Sequence, residues 1–286
     1  MRSKTIPKRT IRDSVFTALA SKKPYLLQIF QALHPEDTTT TADNLQNVTL
    51  RNVLVDGQYN DLGFEANGKT IILIEAQTQW SDNIILRIML YYLRTLDEKQ
   101  ERDKNSLFSR KALPLLKPEF YIVYTGDKTD IPEYISFTET YFPGQQSDIE
   151  ARARVIRQPG KDNILSQYVS FNKVYSEQLK RTGRKQETIE NTIRICQQEG
   201  YLADFLNDHQ NEVRKIMSAL FDEEVILRNY MAEVVAEERE DARADERREM
   251  AREMLRAGEP RTKIVQFTKL SDRELDELQQ GSVKPS

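Results

Sequence analysis

The chain has 286 residues, of which 38% are hydrophobic and 30% are charged, so it can bury one sizeable core but is too polar to be globular throughout. No apolar run approaches the roughly 20 residues that a membrane-spanning helix needs, and the basic N-terminus leads into no signal-peptide core. The single cysteine, Cys196, excludes an internal disulfide and suits a reducing cytosol. We therefore expect a cytoplasmic protein with no membrane partner.

The rare residues restrict the chemistry. One cysteine and two histidines argue against a zinc site built from nitrogen and sulfur ligands. The sequence contains no G-x-S-x-G nucleophile elbow, no Walker-type phosphate loop and no G-x-G-x-x-G motif. Any catalysis must therefore use carboxylates, amides and hydroxyls, which suit hard cations such as Mg²⁺ or Mn²⁺.

Charge is distributed unevenly along the chain. Residues 1–185 hold 27 Lys and Arg against 22 Asp and Glu, a net of +5, and 186–286 hold 15 against 23, a net of −8, which together give the overall −3. A mildly basic N-terminal part permits a nucleic-acid partner, although a dedicated non-specific DNA binder is usually far more basic.

The first predicted elements are helices. Residues 13–33 read as one or two amphipathic helices, with Asp13 at the position of an N-cap and Pro24 near the start of the second helix. A polar loop with four consecutive threonines follows, and 48–55 resumes a strand-like pattern. Helices should therefore precede the first strands.

The stretch 59–80, YNDLGFEANGKTIILIEAQTQW, predicts a β-hairpin. Asn67-Gly68 lies between two β-prone runs, and both residues tolerate the positive φ of a tight turn. Residues 70–74 are apolar or β-branched throughout, as in a strand buried on both faces. Glu75 follows this run directly, and a buried carboxylate needs a partner or a metal to offset its desolvation.

Helices and strands alternate in the next part of the chain. The predicted elements are a helix at 82–101 capped by Ser81 or Asp82, a buried strand at 120–125, a loop at 127–150, a strand at 151–158 and a helix at 164–179. The basic, glycine-containing joint at 180–186 marks the expected boundary between a first domain, 1–185, and a second region, 186–286.

The second region is predicted to be all-helical. Its predicted helices cover 193–206, 213–221, 224–255, 262–268 and 271–279. The long charged helix 224–255 favours a solvated helix with i,i+4 ion pairs. A coiled-coil seam that would make a homo-oligomer is the alternative, although no regular apolar heptad supports it. Ser271 and Glu274 have the spacing of a capping box at the start of the last helix.

The register of the hairpin decides whether its polar residues can share a site. Glu75 and Gln77 are two residues apart and project to the same face of a strand. A two-residue turn would place Asp61 opposite Ile74, on the wrong face. A three-residue turn at 67–69, or a bulge near Asp61, would pair Asp61 with Glu75. A shared site therefore requires an odd register correction.

Two neighbouring carboxylates repel each other unless a cation lies between them. Mg²⁺ would bind Asp61 and Glu75, with the carbonyl of Ala76 as the natural third ligand. Such an ion polarises a phosphoryl oxygen and activates a bound water. Gln77 could donate a hydrogen bond to that water or to the scissile phosphate.

Four segments resemble the PD-(D/E)XK nuclease superfamily and, more narrowly, the Rpn-type recombination-promoting nucleases, or PD-(D/E)XK family transposases. RDSVFTALAS is similar to their opening helix, with Asp13 and Phe16 matching and Arg12 where histidine is usual. YNDLGFEANGKTIILIEAQ resembles their Asp…Glu-x-Gln hairpin, ILRIMLYYLRTLDEK their helix with paired tyrosines, and MAREMLRAGEPRTKIVQFTKLSDRELDEL their helical tail.

The resemblance implies an α/β fold with a restriction-endonuclease-like mixed sheet flanked by helices, followed by an all-helical C-terminal region. It also implies Mg²⁺-dependent endonuclease activity on DNA, with Mn²⁺ as a substitute ion, connected with recombination or mobile elements. Asp61 and Glu75 then become metal ligands, Gln77 takes the position of the superfamily's lysine, and Asp13 helps from the first helix. Glutamine at that position is usual within the narrower family.

A second hypothesis remains open at this stage. The chain could keep the nuclease fold without catalysis and act as a DNA-binding or protein-interaction module, associating through its helical tail. Metal-dependent cleavage and its loss on changing Asp61 or Glu75 discriminate the two hypotheses.

Overall fold

The computed structural model of the chain describes residues 15–48, 62–104 and 108–280. The helices in this part of the chain are α1 (Val15–Ala20), α2 (Lys23–Leu33), α3 (Ile84–Arg102), α4 (Phe137–Tyr141), α5 (Ile164–Thr182), α6 (Gln186–Glu199), α7 (Ala203–Arg256), α8 (Arg261–Thr268) and α9 (Asp272–Gln280). The strands are β1 (Leu45–Asn47), β2 (Leu62–Ala66), β3 (Thr70–Gln77), β4 (Lys117–Tyr124), β5 (Tyr134–Ser136) and β6 (Arg152–Ile156). The protein is therefore of the α/β class.

The strands of the described residues form one mixed sheet in the order β1-β2-β3-β4-β6-β5. The first three strands are antiparallel neighbours, β4 and β6 run parallel to β3, and β5 is antiparallel to β6. Helix α3 connects β3 to β4, because parallel neighbours need a crossover connection. β3, β4 and β6 therefore end at the same side of the sheet, which we call the carboxyl edge.

Both faces of the sheet are covered, as expected for strands with continuous apolar runs. Ile72, Ile74 and Val123 face a core that also contains buried residues of α1, α2, α5 and α6. Ile71 and Leu73 face the other way, into a second core with the apolar side of α3. Side chains alternate between the two cores along β3, so a residue's odd or even number fixes the face on which it lies.

The hairpin between β2 and β3 closes through a three-residue turn. Ala66 pairs with Thr70 and Leu62 pairs with Ile74, so partner numbers sum to 136. Asn67 and Gly68 have φ of 55° and 61°, and the Asn67 side-chain nitrogen donates to Thr40 Oγ1 at 2.8 Å. The longer turn, rather than the two-residue loop, therefore sets the register of the hairpin.

Several elements differ from the prediction. The loop expected at 127–150 contains β5 and α4, and Ser136 caps α4 by accepting a hydrogen bond from the Glu139 backbone. Neither Ser81 nor Asp82 caps α3; Asn83 occupies that position without a side-chain hydrogen bond. The strand expected at 48–55 falls almost entirely outside the described residues.

The helical region also departs from the sequence-based boundaries. Gly200, with φ of 81°, ends α6 inside the helix predicted at 193–206, because glycine adopts the left-handed region without a Cβ penalty. Helix α7 then continues through 213–255, with a non-helical residue at His209. The capping box predicted for the last helix is present: Glu274 Oε2 accepts from the Ser271 backbone at 2.7 Å.

The chain divides into two compact units, Met1–Phe221 and Asp222–Ser286. The division lies later than the boundary expected after residue 185, because α6 and the start of α7 contribute Ile193, Phe205 and Met217 to the same core as α1 and α2. The second unit has a small core of its own, formed by Ala251, Ile264, Leu270 and Leu275. No helix in the described ranges combines the length and apolar character needed to cross a membrane.

Candidate functional site

Glu75 lies near the carboxyl edge, as the third residue from the end of β3, and pairs with Ile122 of β4. Five apolar or β-branched residues precede it in the strand, and like them it is largely buried: Glu75 is only 4% exposed although it carries a carboxylate. Its odd number places it on the face of the sheet that α3 covers, together with Ile71, Leu73 and Gln77. A charged group is therefore held at the end of an apolar surface, where its desolvation must be offset.

Arg87, from the first turn of α3, offsets that charge. Its Nη2 lies 4.0 Å from Glu75 Oε2, and its side chain is 33% exposed. The Gln77 amide is satisfied when its oxygen faces Arg87 Nη2 and its nitrogen donates to the Gln79 carbonyl oxygen at 3.0 Å. One guanidinium therefore contacts both polar side chains that the Glu-x-Gln pattern predicts to share a face.

One nitrogen of the Arg87 guanidinium is unsatisfied. Nε is buried and makes no hydrogen bond within the described part of the chain. Arginine presents a planar fork of donors that fits a phosphate or a carboxylate. Because Nε is buried, an anionic oxygen at the carboxyl edge can reach it only after neighbouring side chains move.

Arg87 is not among the site residues that the sequence predicts. Its spacing contains a usable signal. It stands three residues after Ile84 and four before Tyr91, both buried, so it falls within the apolar stripe of α3. A charged residue inside a buried stripe indicates a partner on the sheet.

A second buried carboxylate lies on the same face, further from the carboxyl edge. Glu65 pairs with Ile71 across the hairpin, and its Oε1 accepts from Lys99 Nζ at 3.0 Å. Lys99 follows Tyr91 by eight residues, on the same side of α3. Helix α3 therefore supplies one cation to each buried carboxylate of the hairpin face.

The other predicted site residues have mixed outcomes. Asp13 and Asp61 lie outside the described residues. Ala76 lies between Glu75 and Gln77, with its partly buried methyl group on the opposite face, against the core of α1 and α2. The carbonyl of Gln77 accepts from the backbone of Thr125, the residue that follows β4. Because carbonyls alternate in direction along a strand, the Ala76 carbonyl points to the β2 side.

The donor set fits part of a Mg²⁺ site. A carboxylate and a backbone carbonyl supply the hard oxygens that Mg²⁺ prefers, and one or two carboxylates with several waters suffice for it. Within the described ranges, no three His, Cys, Asp or Glu side chains are grouped so that they could hold a metal. A site here must therefore draw its second carboxylate from elsewhere, which is the role predicted for Asp61.

Comparison with known proteins gives no relative: no family model, no curated protein and no solved structure matches the chain.

Proposed function

We propose that the chain is a metal-dependent endonuclease that hydrolyses DNA phosphodiester bonds, a PD-(D/E)XK enzyme of the Rpn type connected with recombination or mobile elements. The observation that carries the proposal is Glu75, a buried carboxylate at the carboxyl edge with Gln77 on the same face. The mixed sheet covered by helices on both faces agrees with the restriction-endonuclease-like fold that the resemblance implies.

The register of the hairpin supports the pairing that the proposal requires. Leu62 pairs with Ile74, so the same register continued by one residue would pair position 61, which lies outside the described residues, with Glu75. This is the odd correction that the sequence-based argument needed. We propose that Asp61 and Glu75 hold Mg²⁺ or Mn²⁺ with the Ala76 carbonyl, and that Asp13 assists.

In the proposed site, each residue has a separate role. Bound Mg²⁺ would polarise a phosphoryl oxygen and lower the pKa of a coordinated water. Gln77 orients the attacking water or the scissile phosphate through its amide. Arg87 supplies positive charge to the phosphate oxygens as negative charge develops on them. Gln77, unlike the superfamily's lysine, carries no charge and so cannot take this role.

The test is nicking of supercoiled plasmid with Mg²⁺ or Mn²⁺. We expect Asp61→Asn and Glu75→Gln each to reduce the rate at least about 100-fold, the size of effect that follows loss of a group that stabilises the transition state. Glu65→Gln is the matched control, since Glu65 is buried on the same face but has its own partner in Lys99. Cleavage that persists unchanged in both site variants would refute the assignment.

One observation favours the second hypothesis, a non-catalytic DNA-binding or protein-interaction module. Arg87 gives Glu75 a countercharge, so the burial of Glu75 does not by itself demand a metal. Wild-type protein that binds DNA but nicks no plasmid with any divalent ion would support this hypothesis.

Self-association through the C-terminal helices is part of the proposal for partners. Phe267 of α8 is 62% exposed and Met250 of α7 is 49% exposed, although Ile264 and Ala251 on the same helices are fully buried. The exposed apolar side chains provide a surface for a homo-oligomer. We also propose a cytoplasmic location, in keeping with the free thiol of Cys196.

A further inference from the structure

A basic cleft lies at the carboxyl edge beside the candidate site. Its volume is about 420 Å³, and it is lined by the segments that follow β4 and β6 and by one side of α5. We name it the basic cleft for its charged lining residues, which are Lys128, Arg157, Lys173, Lys180, Asp127 and Glu177. Four cations against two carboxylates leave a net positive charge.

Two of the cations are already engaged. Lys180 Nζ lies 2.8 Å from Asp127 Oδ2, and this contact lowers the pKa of the Asp127 carboxyl. Arg157 Nη1 donates to the Thr129 carbonyl oxygen at 2.7 Å, which fixes the guanidinium against the loop after β4. The cleft is thus held in shape by contacts between its own walls.

The other two cations have no carboxylate of the described residues at ion-pair distance. Lys128 is exposed and Lys173 is partly exposed, and neither ammonium forms an ion pair with any residue of the described ranges. Lys173 still faces Asp127 closely enough to favour the ionised carboxylate electrostatically. Two uncommitted ammonium groups in one concave surface are suited to anionic oxygens.

The basic cleft is continuous with the end of β3. The Thr125 backbone donates to the Gln77 carbonyl at 2.8 Å. A Cβ on Gly126 would collide with the carbonyl oxygen of Thr78, so the loop that starts the cleft is packed against the residue after Gln77. Ligands of open α/β sheets bind beyond the carboxyl ends of the strands, where both features lie.

The strand order sets how far apart the two features lie along the carboxyl edge. β6 is the second neighbour of β3, so the ends of these strands are about 10 Å apart at about 4.8 Å per strand. The basic cleft is lined by α5, whereas the Gln77 side chain lies on the face that α3 covers, so a DNA strand that contacts both features must pass around this edge.

We propose that the basic cleft binds phosphodiester groups of a DNA strand that flank the phosphate facing Glu75. Lys128 and Lys173 neutralise these flanking phosphates, while Asp127 restrains the affinity. The inference rests on the proposed function for the identity of the strand, but the cleft can be tested without cleavage.

The experiment measures the binding of a fluorescein-labelled DNA duplex by anisotropy, in EDTA, across a series of KCl concentrations. Each phosphate contact removed lowers the magnitude of the log–log salt slope by about 0.9. We expect Lys128→Gln/Lys173→Gln to lower the magnitude of the slope by nearly two. The variant Lys128→Arg/Lys173→Arg, which keeps both charges, should have the wild-type slope. Asp127→Asn removes a competing carboxylate and should tighten binding at low salt, an effect opposite to that of structural damage.

The matched control is Lys104→Gln/Lys111→Gln. These exposed lysines lie in the connection from α3 to β4, at the opposite edge of the sheet, and should leave the slope unchanged. An equal loss of slope in the control, or an unchanged slope in the cleft variant with wild-type circular dichroism, would overturn the proposal. So would wild-type protein that fails to bind DNA.

The nicking assay separates the two proposals. If Glu75→Gln abolishes nicking and the cleft variant keeps its slope, the nuclease assignment stands and the cleft proposal falls. If the cleft variant loses slope and Glu75→Gln still nicks DNA, the cleft stands as a DNA-binding surface and the nuclease site falls.

Discussion

At the scale of single residues, the contact of Arg87 with Glu75 joins the two elements that frame the candidate site. Glu75 Oε2 and Arg87 Nη2 are 4.0 Å apart, and the Glu75 side chain is 5% exposed. A pair with one buried partner is screened less than a surface pair, but removal of either member leaves a charge whose desolvation is no longer offset. The pair should therefore couple energetically.

A double-mutant cycle measures this coupling. We expect Arg87→Gln, Glu75→Gln and the double variant to give a favourable interaction energy within about 0.5–3 kcal/mol in urea unfolding. The exposed pair Lys23 and Asp43, at 2.8 Å, is the control and should show no measurable coupling, because solvent screens it. Stability changes of the Arg87 and Glu75 variants that simply add would show that the buried pair is uncoupled.

Asp37 illustrates how the threonine-rich loop is organised. Its carboxylate accepts hydrogen bonds from the Thr40 hydroxyl and from the backbone and hydroxyl of Thr39. These bonds, chiefly the one from the Thr40 hydroxyl, lower the Asp37 pKa well below the ordinary 3.8. The loop therefore favours the ionised carboxylate, and its stabilising contribution is present above pH 3.8 and lost as the pH falls through the lowered pKa.

A titration of the Asp37 carboxyl carbon by NMR tests this directly. The midpoint should lie well below 3.8, and Thr40→Val, which removes the main donor while keeping the side-chain shape, should move it back toward that value. A wild-type midpoint at or above 3.8 would contradict the hydrogen-bonding account.

The residue-scale features differ in how far the sequence determines them. Glu75 and Gln77 share a face because strand side chains alternate, which a local pattern predicts. Arg87 follows both in the sequence, beyond the loop after β3 and in the first turn of α3. Its contact depends on how α3 crosses back over the sheet, which no local pattern specifies, although its place inside the buried stripe does indicate a partner.

At the scale of elements, α3 carries cations at both ends of the hairpin face. Arg87 is near the carboxyl edge, and Lys99 reaches Glu65 on β2 at 3.0 Å. The Glu65 side chain is 10% exposed and that of Lys99 is 21% exposed. This second pair fastens the last turns of the helix to the strand without any role in the proposed chemistry.

Replacement of Lys99 isolates that structural contribution. Lys99→Met should destabilise the protein by about 3 kcal/mol, at the lower end of the range for breaking a buried pair, because Glu65 is left as an uncompensated carboxylate. Adding Glu65→Gln should recover part of the loss. The exposed control Lys23→Met should cost less than about 1 kcal/mol, and an equal cost for both lysines in thermal or urea unfolding would refute the argument.

The elements themselves were largely predictable. The hairpin, α3, β4, β6 and α5 follow from apolar periodicity, since each has a continuous or helically spaced run. β1, β5 and α4 were missed because they are only three, three and five residues long, too short for a period to develop. Pairing stabilises β1 on β2 and β5 on β6, and α4 packs against β5, so tertiary contacts replace any local preference.

At the scale of the whole molecule, the core of the first unit encloses Cys196. The residue is fully buried, and burial raises the pKa of its thiol to about 12. Thiol reagents require the thiolate, so both access and ionisation oppose reaction in the folded state.

Alkylation by iodoacetamide at pH 8 should therefore be negligible in the native protein and rapid in urea. Protection should be lost in the same urea range as the circular dichroism signal, because exposure of Cys196 requires opening of the core shared by α1, α2, α5 and α6. Rapid labelling of native protein would contradict the burial of this side of α6 in the first core.

The division of the chain after Phe221 could not be placed from composition. The basic joint near residue 185 resembles a linker, but α6 and the start of α7 are amphipathic helices whose apolar sides complete the first core. A boundary depends on where an apolar side finds its partners, and that information is not local. The first compact unit is therefore longer than the charge pattern suggests.

The three-residue turn at Asn67, Gly68 and Lys69 has a consequence for how this hairpin can change over time. An insertion or deletion of one residue, with β2 held in place, would exchange the two faces of β3 and bury Glu75 and Gln77 on the side of α1 and α2. A change of two residues would preserve the faces. Functional relatives of this sequence should therefore differ in the length of this turn by even numbers of residues, because only even changes keep Glu75 and Gln77 on the same face.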